Sequence, residues 1–86
     1  MKKTVIPLSM ASAGMEYVIE HVNEGKTGAL NLRGYGIFPG SSIRPVFKSP
    51  AGDPVAYEIM GTVLALRLKD SENIYVSTPL HREEKI

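Results

Sequence analysis

The stretch SPAGDPVAYEIMGTVLALRL, Ser49–Leu68, decides the fold. Ser49-Pro50-Ala51-Gly52-Asp53-Pro54 is a connection made of turn formers, in which Pro presets φ and Gly supplies positive φ. Behind it, Val55, Tyr57 and Ile59 alternate with Ala56, Glu58 and Met60, the period of a strand with one buried face. Gly61 marks a bend, and Thr62–Leu68 resumes as a second strand with Leu64, Leu66 and Leu68 as its apolar positions. Two short strands on a tight bend form a hairpin. The rest of the chain repeats that grammar.

Upstream, Ser42–Lys48 reads as a strand with Ile43, Pro45 and Phe47 on one face. Proline cannot donate to a ladder, so this strand is expected at an edge or with a bulge. Met15, Tyr17 and Ile19 alternate with Glu16, Val18 and Glu20 in an earlier strand, followed by a turn at Asn23-Glu24-Gly25. Thr27 can cap a short helix over Gly28–Arg33, which Gly34 weakens. Thr4–Ala13 reads as a lead-in with slight helix potential over Ser9–Ala13. Asp70–Asn73 is a single helical or 3₁₀ turn, and Ile74–Ser77 a last short strand. Five short strands with turns about every ten residues, plus one brief helix, predict a mainly β fold: a small SH3-like five-stranded barrel. Closing a sheet on itself hides edges and lets a short chain share one core. Residues 1–80 are expected to form this one domain, with 81–86 a polar tail.

Composition bounds the function. A chain of 86 residues hides only about 60% of its unfolded surface, enough for one core. Ten basic residues interleave with nine acidic ones, leaving a net charge of +1 and no basic patch for nucleic acid. The absence of cysteine removes disulfides, thiolate metal sites and Cys nucleophiles. Pro7, Ser9, Ser12 and Gly14 interrupt any signal-peptide core after Met1-Lys2-Lys3, and nothing approaches the roughly 20 apolar residues of a membrane span. The expectation is a cytoplasmic protein with no direct membrane insertion.

Catalytic candidates are thin. His81 lies in the tail and His21 at the end of a strand; Asp53 is first a turn maker between Gly52 and Pro54. Glu16 and Glu20, four apart on a strand, stand about 13 Å apart and cannot share an ion. We expect no enzyme activity, no cofactor and no dedicated metal site. The run LRGYGIFPG, Leu32–Gly40, is not a phosphate cradle, which needs strand, glycines, then helix; here the order is helix, glycines, strand. Gly34 or Gly36 is a helix cap, and Pro39-Gly40 suits a type II turn. Ile37 is expected to plug the barrel. Arg33, Tyr35 and Phe38 are the candidate partner-binding residues, an aromatic pair beside an arginine on a stiff bend.

The spacing of Leu8, Gly14, Leu32, Gly36, Ile37, Pro39, Gly40, the Gly52-Asp53-Pro54 step, Gly61, Ala65-Leu66-Arg67, Ile74 and Val76 resembles the FeoA family, over nearly the whole chain. Gly34 and Tyr35 depart from it, standing where the family carries a helix former and a Leu or Met. Thr62 departs too, at a place often held by a larger side chain. The resemblance implies an accessory of bacterial ferrous iron uptake acting by protein–protein contact with FeoB, a membrane transporter with a cytosolic GTPase domain. It makes Gly36, Pro39, Gly40, Gly52, Asp53, Pro54 and Gly61 the structural motif residues. Transition-metal binding belongs to the alternative the resemblance leaves open: a stand-alone SH3-like metal-sensing domain, related to the C-terminal domain of metal-dependent repressors. The strand carrying Pro45 leaves weak self-association open.

Overall fold

A computed structural model describes residues 4–23, 25 and 32–79. The chain runs through strands β1 (Val5–Pro7), β2 (Tyr17–Val22), β3 (Ser42–Lys48), β4 (Val55–Ile59), β5 (Thr62–Leu66) and β6 (Ile74–Ser77), with one helical turn, α1 (Leu68–Ser71), before β6. All pairings are antiparallel, in the order β1-β6-β2-β3-β4-β5. The expected five strands are six. The addition is β1, which lies in the lead-in; its three residues pair with Tyr75–Ser77, so a partner some seventy positions away makes it a strand. The slight helix potential upstream of Gly14 becomes a 3₁₀ turn at Leu8–Met10.

Two bulges correct the simple alternation. The β2–β6 register shifts between Ile19 and His21, so the buried set on β2 is Tyr17, Ile19 and Val22, with His21 turned to solvent. On β3 the register shifts between Pro45 and Phe47. The sequence placed Ile43, Pro45 and Phe47 on one face; Ile43 and Pro45 are buried, while Phe47 is 63% exposed. An extra residue opposite one partner residue turns everything beyond it to the other face. Proline is tolerated in this internal strand because the β2 ladder stops at Ile43, so the Pro45 nitrogen has no ladder position to fill on that side, where its carbonyl accepts the Gly14 N–H at 2.8 Å.

The hairpin β4–β5 turns through Met60 (φ 50°) and Gly61 (φ 79°). Positive φ at both central residues is the twist-matched type I′ geometry of two-residue hairpins. β5 ends at Leu66, not Leu68; Leu68 opens α1, whose turn starts two residues earlier than expected. The core is one cluster built from every strand except β1, including Leu8, Tyr17, Ile19, Ile37, Ile43, Tyr57, Ile59, Leu66, Ile74 and Val76. Burial of this apolar area is the main favourable term in folding. The predicted helix Gly28–Arg33 and tail 81–86 fall almost wholly outside the described residues, as does Glu24 of the predicted turn.

Candidate functional site

The loop Leu32–Gly40 is locked by backbone bonds at both ends. Arg33–Tyr35 is a 3₁₀ turn closed by Gly36 at φ 95°. The Gly36 N–H donates to the Arg33 carbonyl (3.1 Å) and the Ile37 N–H to the Leu32 carbonyl (2.9 Å). This is a Schellman ending, with the left-handed residue at the expected place. Its apolar pair, Leu32 and Ile37, sits in the core at 4% and 1% exposure, so Ile37 plugs the fold as expected. Of the two glycines, Gly36 is the cap, and it is crowded. A Cβ there meets Met60 Sδ at 2.8 Å and Ile59 Cγ2 at 3.0 Å.

The second bend has Pro39 and Gly40 (φ 98°) as central residues, with the Ser41 N–H donating to the Phe38 carbonyl at 3.0 Å, the expected type II turn. The Ser41 hydroxyl donates to the same carbonyl at 2.9 Å. Two further bonds staple the bend to β2: Gly40 N–H to the Ile19 carbonyl (2.8 Å) and Ile19 N–H to the Ser41 carbonyl (2.9 Å). Loop position is therefore set by the sheet.

On this frame Tyr35 is 53% exposed and Phe38 half-buried, and neither belongs to the core cluster. The Arg33 guanidinium carbon lies 5.9 Å from the Phe38 ring centroid, within cation–π range. The three residues singled out in the sequence thus share one loop surface, with Arg33 and Phe38 in contact. A different surface lies between the Ser9–Ala13 segment and strands β3 and β4. It is a groove of about 320 Å³, lined by buried Pro45 and Tyr57 and by exposed Phe47 and Lys48. Sequence reading missed Phe47 as a surface residue because nothing in a period-2 pattern announces a bulge.

Asp53 carries a role that its turn context did not reveal. Its Oδ1 accepts the Leu68 N–H at 2.8 Å, the first amide of α1. The helix's own N-cap residue, Arg67, makes no side-chain cap bond. An unpaired first-turn amide is what a capping oxygen serves. The Gly52-Asp53-Pro54 step and the Ala65-Leu66-Arg67 step are thus joined physically, which gives both motif pieces one reason to occur together. Tyr57, packed beside them at 2% exposure, has its phenol pushed up, mainly by burial. His21 hydrogen-bonds through Nε2 to Asn23 Oδ1 at 2.9 Å and stacks on Tyr75 at 6.0 Å, a surface packing role. Among the described residues no group of three or more His, Cys, Asp or Glu stands together as a metal site. No helix among them is long and apolar enough to cross a membrane.

The architecture has solved counterparts. A FeoA-like protein from Clostridium acetobutylicum is 26% identical, with a TM-score of 0.72 over 94% of this chain and 93% of the other. FeoA from Stenotrophomonas maltophilia, solved in complex with zinc and described as a procaryotic SH3 domain protein, is 25% identical, with a TM-score of 0.64 over 88% and 89%. ScaR, solved with bound zinc, gives a TM-score of 0.74 at 20% identity, a likeness of fold; the match covers 91% of this chain and 38% of ScaR. The mainly β, SH3-like fold expected from the strand pattern is therefore the fold observed. No curated protein matches the sequence. The FeoA domain model matches residues 6–78, from the strand that the sequence concealed to the last strand along the chain, and the chain belongs to the FeoA domain family.

Proposed function

We propose that this protein is a cytosolic, non-enzymatic accessory of ferrous iron uptake, working by protein–protein contact with the FeoB transporter through its cytosolic GTPase domain. Membership of the FeoA family supports the iron-uptake setting. The observation that carries the contact is the Leu32–Gly40 loop: an exposed Tyr35 beside an Arg33–Phe38 pair, on a backbone fixed at both bends. Preformed aromatic and arginine surfaces lose little conformational entropy on binding and concentrate interface energy. Residues 1–80 act as the domain that presents this loop, with 81–86 a polar extension.

The test is a binding titration of the full chain against the GTPase domain in each nucleotide state. Tyr35→Ala with Phe38→Ala should weaken binding by at least tenfold, about 1.4 kcal/mol, with a melting temperature close to the parent's. Unchanged binding in the folded variant refutes the contact surface. A large fall in melting temperature shows that the rings serve the core instead.

A second reading, a metal-sensing domain, draws on the likeness to zinc-bound ScaR and on the zinc complex of the Stenotrophomonas protein. Titrating Fe(II), Mn(II) and Zn(II) while following backbone amide shifts separates the two. A tight one-to-one site favours the sensor, and its absence the adaptor.

A further inference from the structure

The two edges of the sheet are built differently. β1 is three residues long and ends in Pro7, both features that discourage another strand from pairing. β5, at the opposite edge, has five residues, Thr-Val-Leu-Ala-Leu, with neither a charge nor a proline, and among the described residues no strand pairs on its outer side. Its backbone groups can be assigned. In a two-residue hairpin the closing pair is hydrogen-bonded, so Ile59–Thr62, Tyr57–Leu64 and Val55–Leu66 exchange bonds. Val63 and Ala65 then direct N–H and C=O away from β4, toward the open edge. Their side chains are exposed too, Val63 at 62%.

We propose that β5 is the contact of a symmetric homodimer, in which two copies pair antiparallel around Leu64 to continue the sheet. Val63 then faces Ala65 of the second copy as a hydrogen-bonded pair, both side chains small enough to pack across it, and Thr62 faces Leu66 as a non-hydrogen-bonded pair. The outward row Phe47–Ala56–Ala65 of one copy runs on into Val63 of the other.

Charge selects this partner. Glu16, Arg44 and Glu58 stand together beside Gly61, and Glu58 holds the Arg44 guanidinium. Two carboxylates against one guanidinium leave that corner one negative charge in excess. Arg67 is exposed and continues the outward parity of Val63 and Ala65. In the symmetric register it falls opposite Gly61 of the second copy, where no side chain blocks its approach to that corner. The pairing therefore matches cation to anion twice. Five residues a side bury well below the roughly 1,200 Å² of a stable standard interface, which places the pair among weak, transient contacts.

The inference does not rest on the iron-uptake reading. Sedimentation equilibrium of the full chain from about 10 µM to about 1 mM should show the mean mass rising toward twice that of one chain. Val63→Lys and Arg67→Glu should each raise the dissociation constant at least tenfold, with the far-ultraviolet spectrum unchanged. The protein has no cysteine, so Leu64→Cys gives a single thiol on the dyad, where facing Cα atoms lie about 4.5 Å apart, within disulfide range. Mild oxidation should link it far faster than Lys48→Cys. A chain that stays monomeric across the range overturns the proposal, as does a Val63→Lys variant that dimerises like the parent. So does a monomer whose edge variants lose binding to the GTPase domain, which would assign β5 to a heterologous strand.

Discussion

Replacing Asp53 by Ala removes the acceptor that joins the loop before β4 to the helix after β5. The bond is 2.8 Å long and spans fifteen positions of sequence. Two later amides of the turn are served locally: those of Asp70 and Ser71 reach the Arg67 carbonyl at 2.9 and 3.0 Å. Leu68 has no such local acceptor, because an N-terminal helical amide lacks a carbonyl one turn back. Loss of a capping oxygen costs about 1 kcal/mol, within a range of roughly 0.5–2. For a domain of this size, that is a fall in melting temperature of about 4–8 °C. Asp53→Asn retains an acceptor oxygen of the same reach and should lose less than half as much. Thermal and urea denaturation followed by circular dichroism measure both. An Asp53→Ala variant as stable as the parent, or an Asn variant as damaged as the Ala variant, refutes the capping argument.

Gly36→Ala meets both a left-handed backbone and contacts at 2.8 and 3.0 Å, and should cost about 2 kcal/mol. Gly40→Ala, with similar φ but nothing within 4 Å of the added carbon, should cost about half that by urea denaturation. Tyr57 predicts a pH dependence. Burial raises its folded pKa above the ordinary value near 10, so the folded state keeps a proton that the unfolded state releases. Stability is thus fully present below about pH 10 and falls as pH rises from there through the folded pKa. Tyr57→Phe should flatten that alkaline decline in unfolding free energy measured against pH.

The strands that the sequence announced best are Ser42–Lys48 and Ile74–Ser77, found at the expected bounds, and Val55–Ile59, one residue shorter than expected because Met60 enters the turn. Each has β-branched or aromatic residues and turn formers at its ends, so local chemistry suffices. β1 was invisible because three residues ending in proline carry no period; pairing with β6 makes it a strand. Phe47 was misplaced because a bulge is a property of two strands in register. At the loop the glycine and proline roles were legible, since positive φ and a type II turn are local demands. What Asp53 caps was not.

Sequence alone determined the class of fold, the absence of thiol chemistry, and where the backbone must bend, because alternation, residue type and glycine–proline punctuation act over a few residues. Tertiary structure decided which glycine caps the loop, that Arg33 lies over Phe38, which face Phe47 takes, and that β5 is left at the rim of the sheet. Those outcomes depend on contacts between segments distant along the chain, and closing each loop costs entropy that only the assembled core offsets.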